Sequence, residues 1–537
     1  MKTTTHPVAA LWAAATILLS VPRPAGAVPG DVLGAFDTPS PCVTGLVFDG
    51  TLLWVADHKT DRLYGLDRRG RVVESMPSPG WRPAGLAFDG KYLWNLDEVD
   101  RKIYRIDPKT GVTVHRLDSP VAAGRALAWD GSALWISDRK TRTLRRIDPK
   151  DGTTISVIPA PSRSVEGLAF DGRYLYATDR LADKIFMLEP RRGEVVFAMP
   201  SPGPYPTGIA FDGKDLLVAD YQTDRIVRLV RKDQARMKRI LKRREHVEFT
   251  YQVRNFGPNS LPNLTIYLAQ PGKETSHRFL SPITYFGGRP RIVKEAPNRY
   301  IAVMSFSNIQ PGRIVTVGWR AKAALYDVHY YVFPETIRSL GAVPASIRRR
   351  YLRNGTKYDI HSPVIRAAVR KALGKQRNPY WMARRLYRYV HRHMHYELAG
   401  GWNQAPRVLT RGSGSCSEYS FVFIALCRAA GIPARYVGSL VVRRDAASFD
   451  DVYHRWVEIY LPGYGWLPVD PSRGDKKTEA DRGDAFSHVT ADFIVTTRSR
   501  GPSRYLGWSY NAAARWTCKG RCRVEEENIA EWTPLRP

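Results

Sequence analysis

The sequence predicts three folded units in one chain: an all-β propeller of about five blades, a small β-sandwich, and an α+β unit at the C-terminal end. Three observations carry this. The first 230 residues repeat with a period of about 41, residues 246 to 333 alternate apolar and polar side chains, and from Ser362 onward the spacing becomes helical. At 537 residues the chain is too long for one hydrophobic core. With 43% hydrophobic and 25% charged residues it has the composition of a folded protein.

The repeat marker is Phe-Asp-Gly, at Phe48-Asp49-Gly50, Phe88-Asp89-Gly90, Phe170-Asp171-Gly172 and Phe211-Asp212-Gly213, with Trp129-Asp130-Gly131 in the same register. Each copy leads into a short apolar strand ending in aspartate, such as LLWVAD or YLWNLD, then a second strand such as RLYGLD, a turn such as DPKTG, and a further strand. Four short strands per copy make a propeller blade. Asp-Gly supplies the positive φ of a tight hairpin, so Asp49, Asp89, Asp130, Asp171 and Asp212 are expected to be structural. A second ladder, Asp57, Asp97, Asp138, Asp179 and Asp220, is expected to cap turns, with a ligand or cation ring on the axis as the alternative. The N-terminal DVLGAFDTPSP matches the last strand of a repeat, and the fifth copy lacks its own, so the N-terminal segment should close the ring. These units resemble NHL and YncE-like propeller repeats over residues 30 to 230. The resemblance implies a platform for a protein or small ligand and leaves the function open.

Lys2, the apolar stretch from Val8 to Val21 and Ala25-Gly26-Ala27 read as a signal peptide over residues 1 to 27. No later segment reaches the ~18 to 20 apolar residues of a membrane span. The mature protein is therefore expected to be secreted or periplasmic and not transmembrane. A net charge of +31 favours a polyanionic partner. With export, nucleic acid is not expected, and an anionic envelope polymer is, against the alternative of a merely solvated surface. Of five cysteines, Cys518 and Cys522 are spaced for a local disulfide, with a metal site the weaker reading.

Residues 28 to 230 are thus assigned to the propeller and 231 to 245, which include RKDQARMKRILKRR, to a basic linker. Residues 246 to 333 form the sandwich, with strands around Val247, Phe249, Tyr251 and Val253 broken at Phe256-Gly257-Pro258. They bear a weak resemblance to the β-domain that precedes transglutaminase-like domains in bacterial proteins. Residues 334 to 537 form the last unit.

In that unit Ser362-Pro363 and Asn378-Pro379 begin helices. His391, His393 and His395 alternate near the second helix's end. Spacing of two puts neighbours on different helix faces, so no metal site is expected there. Next comes GSGSCSEYSFVFIALC, which places Cys416 at a helix N-terminus, where unpaired N–H groups and the helix dipole favour a thiolate. Cys427 lies about 16 Å further along the helix and reads as core. Downstream, HRWVEIYLPGYGWLPVD forms a hairpin. Centred on Gly463, it sets Trp456 opposite Asp470 and His454 diagonal to Asp470 on the same face. A thiol, an imidazole and a carboxylate then share one site.

Cys416 before its apolar helix with AAGIPARYV after it, His454 in HRWVEIYLPGYGWLPVDPS, and Asp470 resemble the three motif blocks of the transglutaminase-like superfamily, over about residues 345 to 500. The resemblance implies a papain-like α+β core in which Cys416 attacks an amide carbonyl, His454 moves the proton and Asp470 holds the imidazole. The N–H of Cys416 is expected in the oxyanion hole, and Trp402, Asn403 and Gln404 precede the loop without a secure role. The expected function is an exported cysteine-dependent enzyme acting on peptide or glutamine amide bonds through a thioester, hydrolytic rather than cross-linking, with no cofactor and no metal. The alternatives are a non-catalytic propeller-based scaffold of the cell envelope and a propeller-based lyase or hydrolase.

Overall fold

The structure, a computed structural model, describes residues 26–398, 401–442, 448–450, 453–476 and 478–535. The signal-peptide assignment lies almost wholly outside them. Among the described residues no helix is long and apolar enough to cross a membrane.

Five four-stranded antiparallel sheets form the propeller, the first running Val43–Phe48, Leu53–Asp57, Arg62–Leu66 and Val72–Pro77. The fifth is completed by the N-terminal strand Val32–Asp37, which pairs antiparallel with Arg225–Leu229, as the repeat pattern requires. Each Asp-Gly turn has its glycine at positive φ, +102° at Gly50 and +91° at Gly213. Asp49 accepts from the N–H groups of Thr51 and Leu52 and from Trp54 Nε1. In the second ladder, Asp57 accepts from the N–H groups of Lys59 and Thr60 and, on its other oxygen, from Cys42 N. Both ladders therefore satisfy backbone donors within their own blades, and the expected turn-capping role holds. Inner strands meet around the axis at small residues: a Cβ on Gly45 would lie 2.1 Å from the carbonyl oxygen of Ala84.

One blade departs from its repeats. The outer strands of the first three blades, Val72–Pro77, Thr113–Asp118 and Thr154–Pro159, are mostly exposed, whereas the fourth, Glu194–Pro200, is mostly buried. Its sequence EVVFAMP is correspondingly apolar. Phe197 packs edge-on against Tyr331 and Phe333 at 5.2 and 5.5 Å, so one core runs from the propeller into the α+β unit.

The sandwich departs from its predicted bounds. Its two sheets are built on the long strands Met237–Pro258 and Ile314–Tyr330, and on Leu261–Gln270 and Arg299–Ile309. Each sheet also takes a strand from the C-terminal end. Cys522–Pro534 pairs with Met237–Pro258, and Ala512–Trp516 pairs with Leu261–Gln270. The α+β unit is thus threaded through the sandwich, and residues 512 to 534 do not belong to it. Cys518 and Cys522 form a disulfide where the chain crosses between the two sheets. The predicted linker is also revised. From Met237 it is strand, and Lys232, Lys238 and Arg243 pair with Glu335, Asp31 and Asp492. Pairing with Ile314–Tyr330 supplies the partner that turns a basic run into regular structure.

In the α+β unit a four-stranded sheet orders Gly465–Val469, His454–Leu461, Ala434–Val441 and Phe493–Ser499. The helix Cys416–Ala429 packs on it, with nearly every residue buried.

Candidate active site

Cys416 is the first residue of its helix, so its N–H has no intrahelical acceptor. Glu418, fully buried, reaches back to the N–H of Ser415 at 3.4 Å and accepts from Arg411 at 2.6 Å. Its other oxygen accepts from the N–H and Nδ2 of Asn403 at 3.0 and 2.9 Å. One carboxylate thereby pins the helix start and the segment before it.

Across the helix, the hairpin register Val457 to Val469 and Tyr460 to Trp466 continues to Trp456 opposite Asp470. His454 and Asp470 are then diagonal neighbours, and His454 Nε2 lies 2.6 Å from Asp470 Oδ2. That leaves Nδ1 for the thiol. Asp470 Oδ1 accepts from the N–H and Oγ of Ser472 and from the N–H of Arg473 at 3.1, 2.9 and 2.9 Å. The ring of His454 is held by Trp456 and Phe493, stacked at 6.0 and 5.2 Å. The structure thus brings Cys416, His454 and Asp470 into one cluster.

The electrostatics follow from this packing. Burial raises the Cys416 thiol, but the His454 hydrogen bond and charge, with the N–H of Arg455, outweigh it and hold the thiol below its ordinary range. Burial disfavours a charged His454, yet the Asp470 carboxylate and then Cys416 push it up to about 10. Burial raises Asp470, and His454 and Arg473 pull it down to about 2. Cys427, fully buried with no such partner, is driven far up by desolvation, which separates the two helix cysteines as expected.

The three histidines at the end of the second helix, the last of them in the strand His395–Tyr396, do not converge. His391 bonds the carbonyl of Pro471 at 2.8 Å, His393 that of Tyr389 and His395 the carboxylate of Glu397. His391 therefore steadies the turn behind Asp470, a role its spacing gave no sign of. Arg455 was also missed, though it adjoins His454 in HRW. Its guanidinium is fully buried among Trp402, Phe421, Tyr436 and Tyr510, 4.5 to 5.3 Å from the ring centres. Trp402 is thus brought near the site, while the N–H and Nδ2 of Asn403 both bond Glu418, and Gln404 holds the N-cap position of the helix Ala405–Arg411 without a side-chain cap bond.

Elsewhere, the ligand atoms of Asp327, His329 and His488 lie within 4.8 Å of one another. The two imidazoles stack at 4.0 Å and 9°. Ring lone pairs lie in the ring plane, so parallel rings do not converge on one ion, and this cluster is no ready metal cage.

Residues 366–471 match the family model of the transglutaminase-like superfamily, a span that contains the whole cluster. An uncharacterized protein of Haemophilus influenzae is 28% identical over 172 residues, 26% of this chain and 47% of that protein. Uncharacterized protein YebA of Bacillus subtilis is 32% identical over 71 residues, 11% of this chain and 10% of that one. The chain thus spans less than half the length of either relative. A Cytophaga hutchinsonii structure described as a putative cysteine protease aligns at TM-score 0.40 and 12% identity, covering 56% of this chain and 100% of that one. Virginiamycin B lyase of Staphylococcus aureus aligns at TM-score 0.26 and 20% identity, over 36% and 68%. Scores this low carry no argument about activity. The motif blocks, the cluster they build and the family match agree: the chain carries a domain of the transglutaminase-like superfamily at residues 366–471.

Proposed function

We propose that the protein is a cysteine-dependent enzyme that cleaves peptide or glutamine amide bonds through a thioester, with Cys416 as nucleophile, His454 as general base and acid, and Asp470 as the group that orients the imidazole. The observation that carries this reading is the 2.6 Å bond from His454 to Asp470 beside a thiol held below its ordinary range at a helix N-terminus. The thiolate of Cys416 attacks the amide carbon, and the N–H of Cys416 donates to the oxygen that becomes negative. The C–N bond breaks as imidazolium His454 gives its proton to the leaving amine or ammonia. Neutral His454 then takes a proton from water, whose oxygen attacks the thioester. The acid leaves and the thiolate–imidazolium pair returns. Hydrolysis is preferred to cross-linking because it needs no second binding site for an amine. Export to the periplasm or medium, with an anionic envelope polymer as partner of the basic surface, belongs to the same proposal.

The test is iodoacetamide labelling at neutral pH, then product analysis on glutamine-containing peptides with and without an added amine. Fast labelling lost in Cys416→Ala, with acid formed in either condition, is expected. Labelling no faster than in Cys416→Ala would leave the scaffold reading standing. Amide formed with the amine would move the assignment to cross-linking.

A further inference from the structure

We propose that the axial mouth of the propeller, on the face where the inner strands begin, is a binding site for a small organic anion carrying a carboxylate or phosphate and a flat apolar part. This does not depend on the catalytic reading.

The repeat itself isolates the site. In every blade the same backbone bond joins a residue just before the inner strand to the residue after the second ladder aspartate, from His58 N to Cys42 O in the first blade and from Tyr221 N to Tyr205 O in the fifth. The framework is constant. The side chains it aims at the axis are not. One ring reads Thr44, Ala84, Arg125, Glu166 and Thr207, and a second reads His58, Glu98, Arg139, Arg180 and Tyr221. Most of these residues, with Arg82 and Tyr205, line a cavity of about 260 Å³ together with Val43. That lies just under the ordinary range of small-molecule sites, about 300 to 1,000 Å³. Fold requirements explain the aspartates and glycines that recur at fixed positions, and they do not explain rings whose side chains change from blade to blade.

The mouth carries excess positive charge. Four guanidinium groups, of Arg82, Arg125, Arg139 and Arg180, stand against two carboxylates, Glu98 and Glu166, which pair with the first three. Arg125 lies 2.7 Å from Glu98 and 3.9 Å from Glu166, and Arg82 lies 3.2 Å from Glu98, so the Arg125 pairs tie neighbouring blades. Arg180 has no ion pair among the described residues. Its Nε is buried without a hydrogen-bond partner, as is Nδ1 of His58 across the mouth. Buried polar atoms of this kind are normally satisfied, and an anion in the cavity that both residues line accepts from Arg180 Nε, and from His58 Nδ1 in the tautomer that carries its proton there. The guanidinium of Arg180 lies 5.5 Å from the ring of Tyr205, which meets Tyr221 at 6.5 Å. Both tyrosines are exposed, at 41% and 48%, and offer a flat apolar wall beside the cation.

Titration calorimetry of the full chain at fixed chloride, with phenyl phosphate, benzoate and inorganic phosphate as probes, tests this. One-site binding of phenyl phosphate or benzoate is expected, tighter than inorganic phosphate, and the tighter of the two assigns the anionic group. Arg180→Gln should weaken binding about tenfold or more while changing the melting midpoint of the free protein little, because no ion pair is lost and the Tyr205 contact that goes is a long one on an exposed ring. Cys416→Ala should bind like wild type. Equal affinity in Arg180→Gln, no saturation by any probe below about 10 mM, or loss of binding in Cys416→Ala would each overturn the proposal.

Discussion

Glu194, on the outer strand of the fourth blade, and Arg384, in the helix Pro379–His393, face each other at 3.4 Å with both side chains almost fully buried. Arg388 meets the other Glu194 oxygen at 3.1 Å and Glu479 at 2.7 Å. The network joins the propeller to the helix layer that backs the cysteine helix. Removing one member of a buried pair costs about 3 to 5 kcal/mol, because the remaining charge stays desolvated. Glu194→Ala should therefore lower the denaturation midpoint markedly, with the iodoacetamide rate of Cys416 unchanged below the transition. An unchanged midpoint would mean that the propeller is not energetically coupled to the α+β unit.

Asp470→Asn keeps the shape of the triad and removes its negative charge. The largest influences raising His454 come from Asp470, so the variant's imidazole should lose its proton at lower pH. We expect turnover to fall on the order of 10² to 10⁴-fold. The loss should be smaller than in Cys416→Ala, with the alkaline limb of the pH–rate profile moving down. A profile unmoved in Asp470→Asn would remove Asp470 from the mechanism.

In the proposed mechanism the active pair of the wild type is thiolate with imidazolium. Activity should rise through a thiol titration below the ordinary cysteine range and fall as His454 deprotonates near 10. Stability has its own signs. His454 is raised from 6.5 to about 10, so its contribution is complete below pH 6.5 and is lost as pH climbs through 10. Asp470 is lowered from 3.8 to about 2, so its contribution is present above 3.8 and lost as pH falls through 2. Denaturant midpoints of wild type and Asp470→Asn should converge at the acid extreme, where Asp470 is protonated.

Glu418→Gln tests the support under Cys416, the proposed nucleophile. The amide can satisfy only part of what the carboxylate does for Ser415, Asn403 and Arg411. A loss of about 1 to 3 kcal/mol is expected, together with slower labelling of Cys416. Full labelling rate with reduced stability would restrict Glu418 to a fold role.

The hairpin holding His454 and Asp470 was legible because its turn, PGYG, fixes a register within seventeen residues, and alternation does the rest. The propeller was legible because each blade repeats the same local signals. Neither condition held for the sandwich. Cys522–Pro534 pairs with a strand more than 260 residues earlier, and its run of glutamates hides the alternation of Ala530 and Trp532, its buried residues. The docking of the fourth blade could have been read. EVVFAMP lacks the exposed charges of TVHRLD and carries its one acid, Glu194, against Arg384, but a difference between repeats has meaning only once the partner surface is known.

Closure of the ring depends on positions without side chains. A Cβ on Gly45 would lie 2.1 Å from the oxygen of Ala84 and 2.9 Å from the nitrogen of Leu86, both backbone atoms of the neighbouring inner strand. They cannot give way without moving a blade. Gly45→Ala should therefore cost about 3 kcal/mol or more, beyond ordinary overpacking. Gly34 sits on the closing strand, where an added Cβ would meet nothing within 4 Å, so Gly34→Ala should stay within about 0.5 kcal/mol of wild type. Chemical denaturation of both variants checks the contrast. Equal midpoints would mean that the blades part easily at the axis, and the rigid mouth framed by Thr44 and Ala84 would then not be a fixed feature of the propeller.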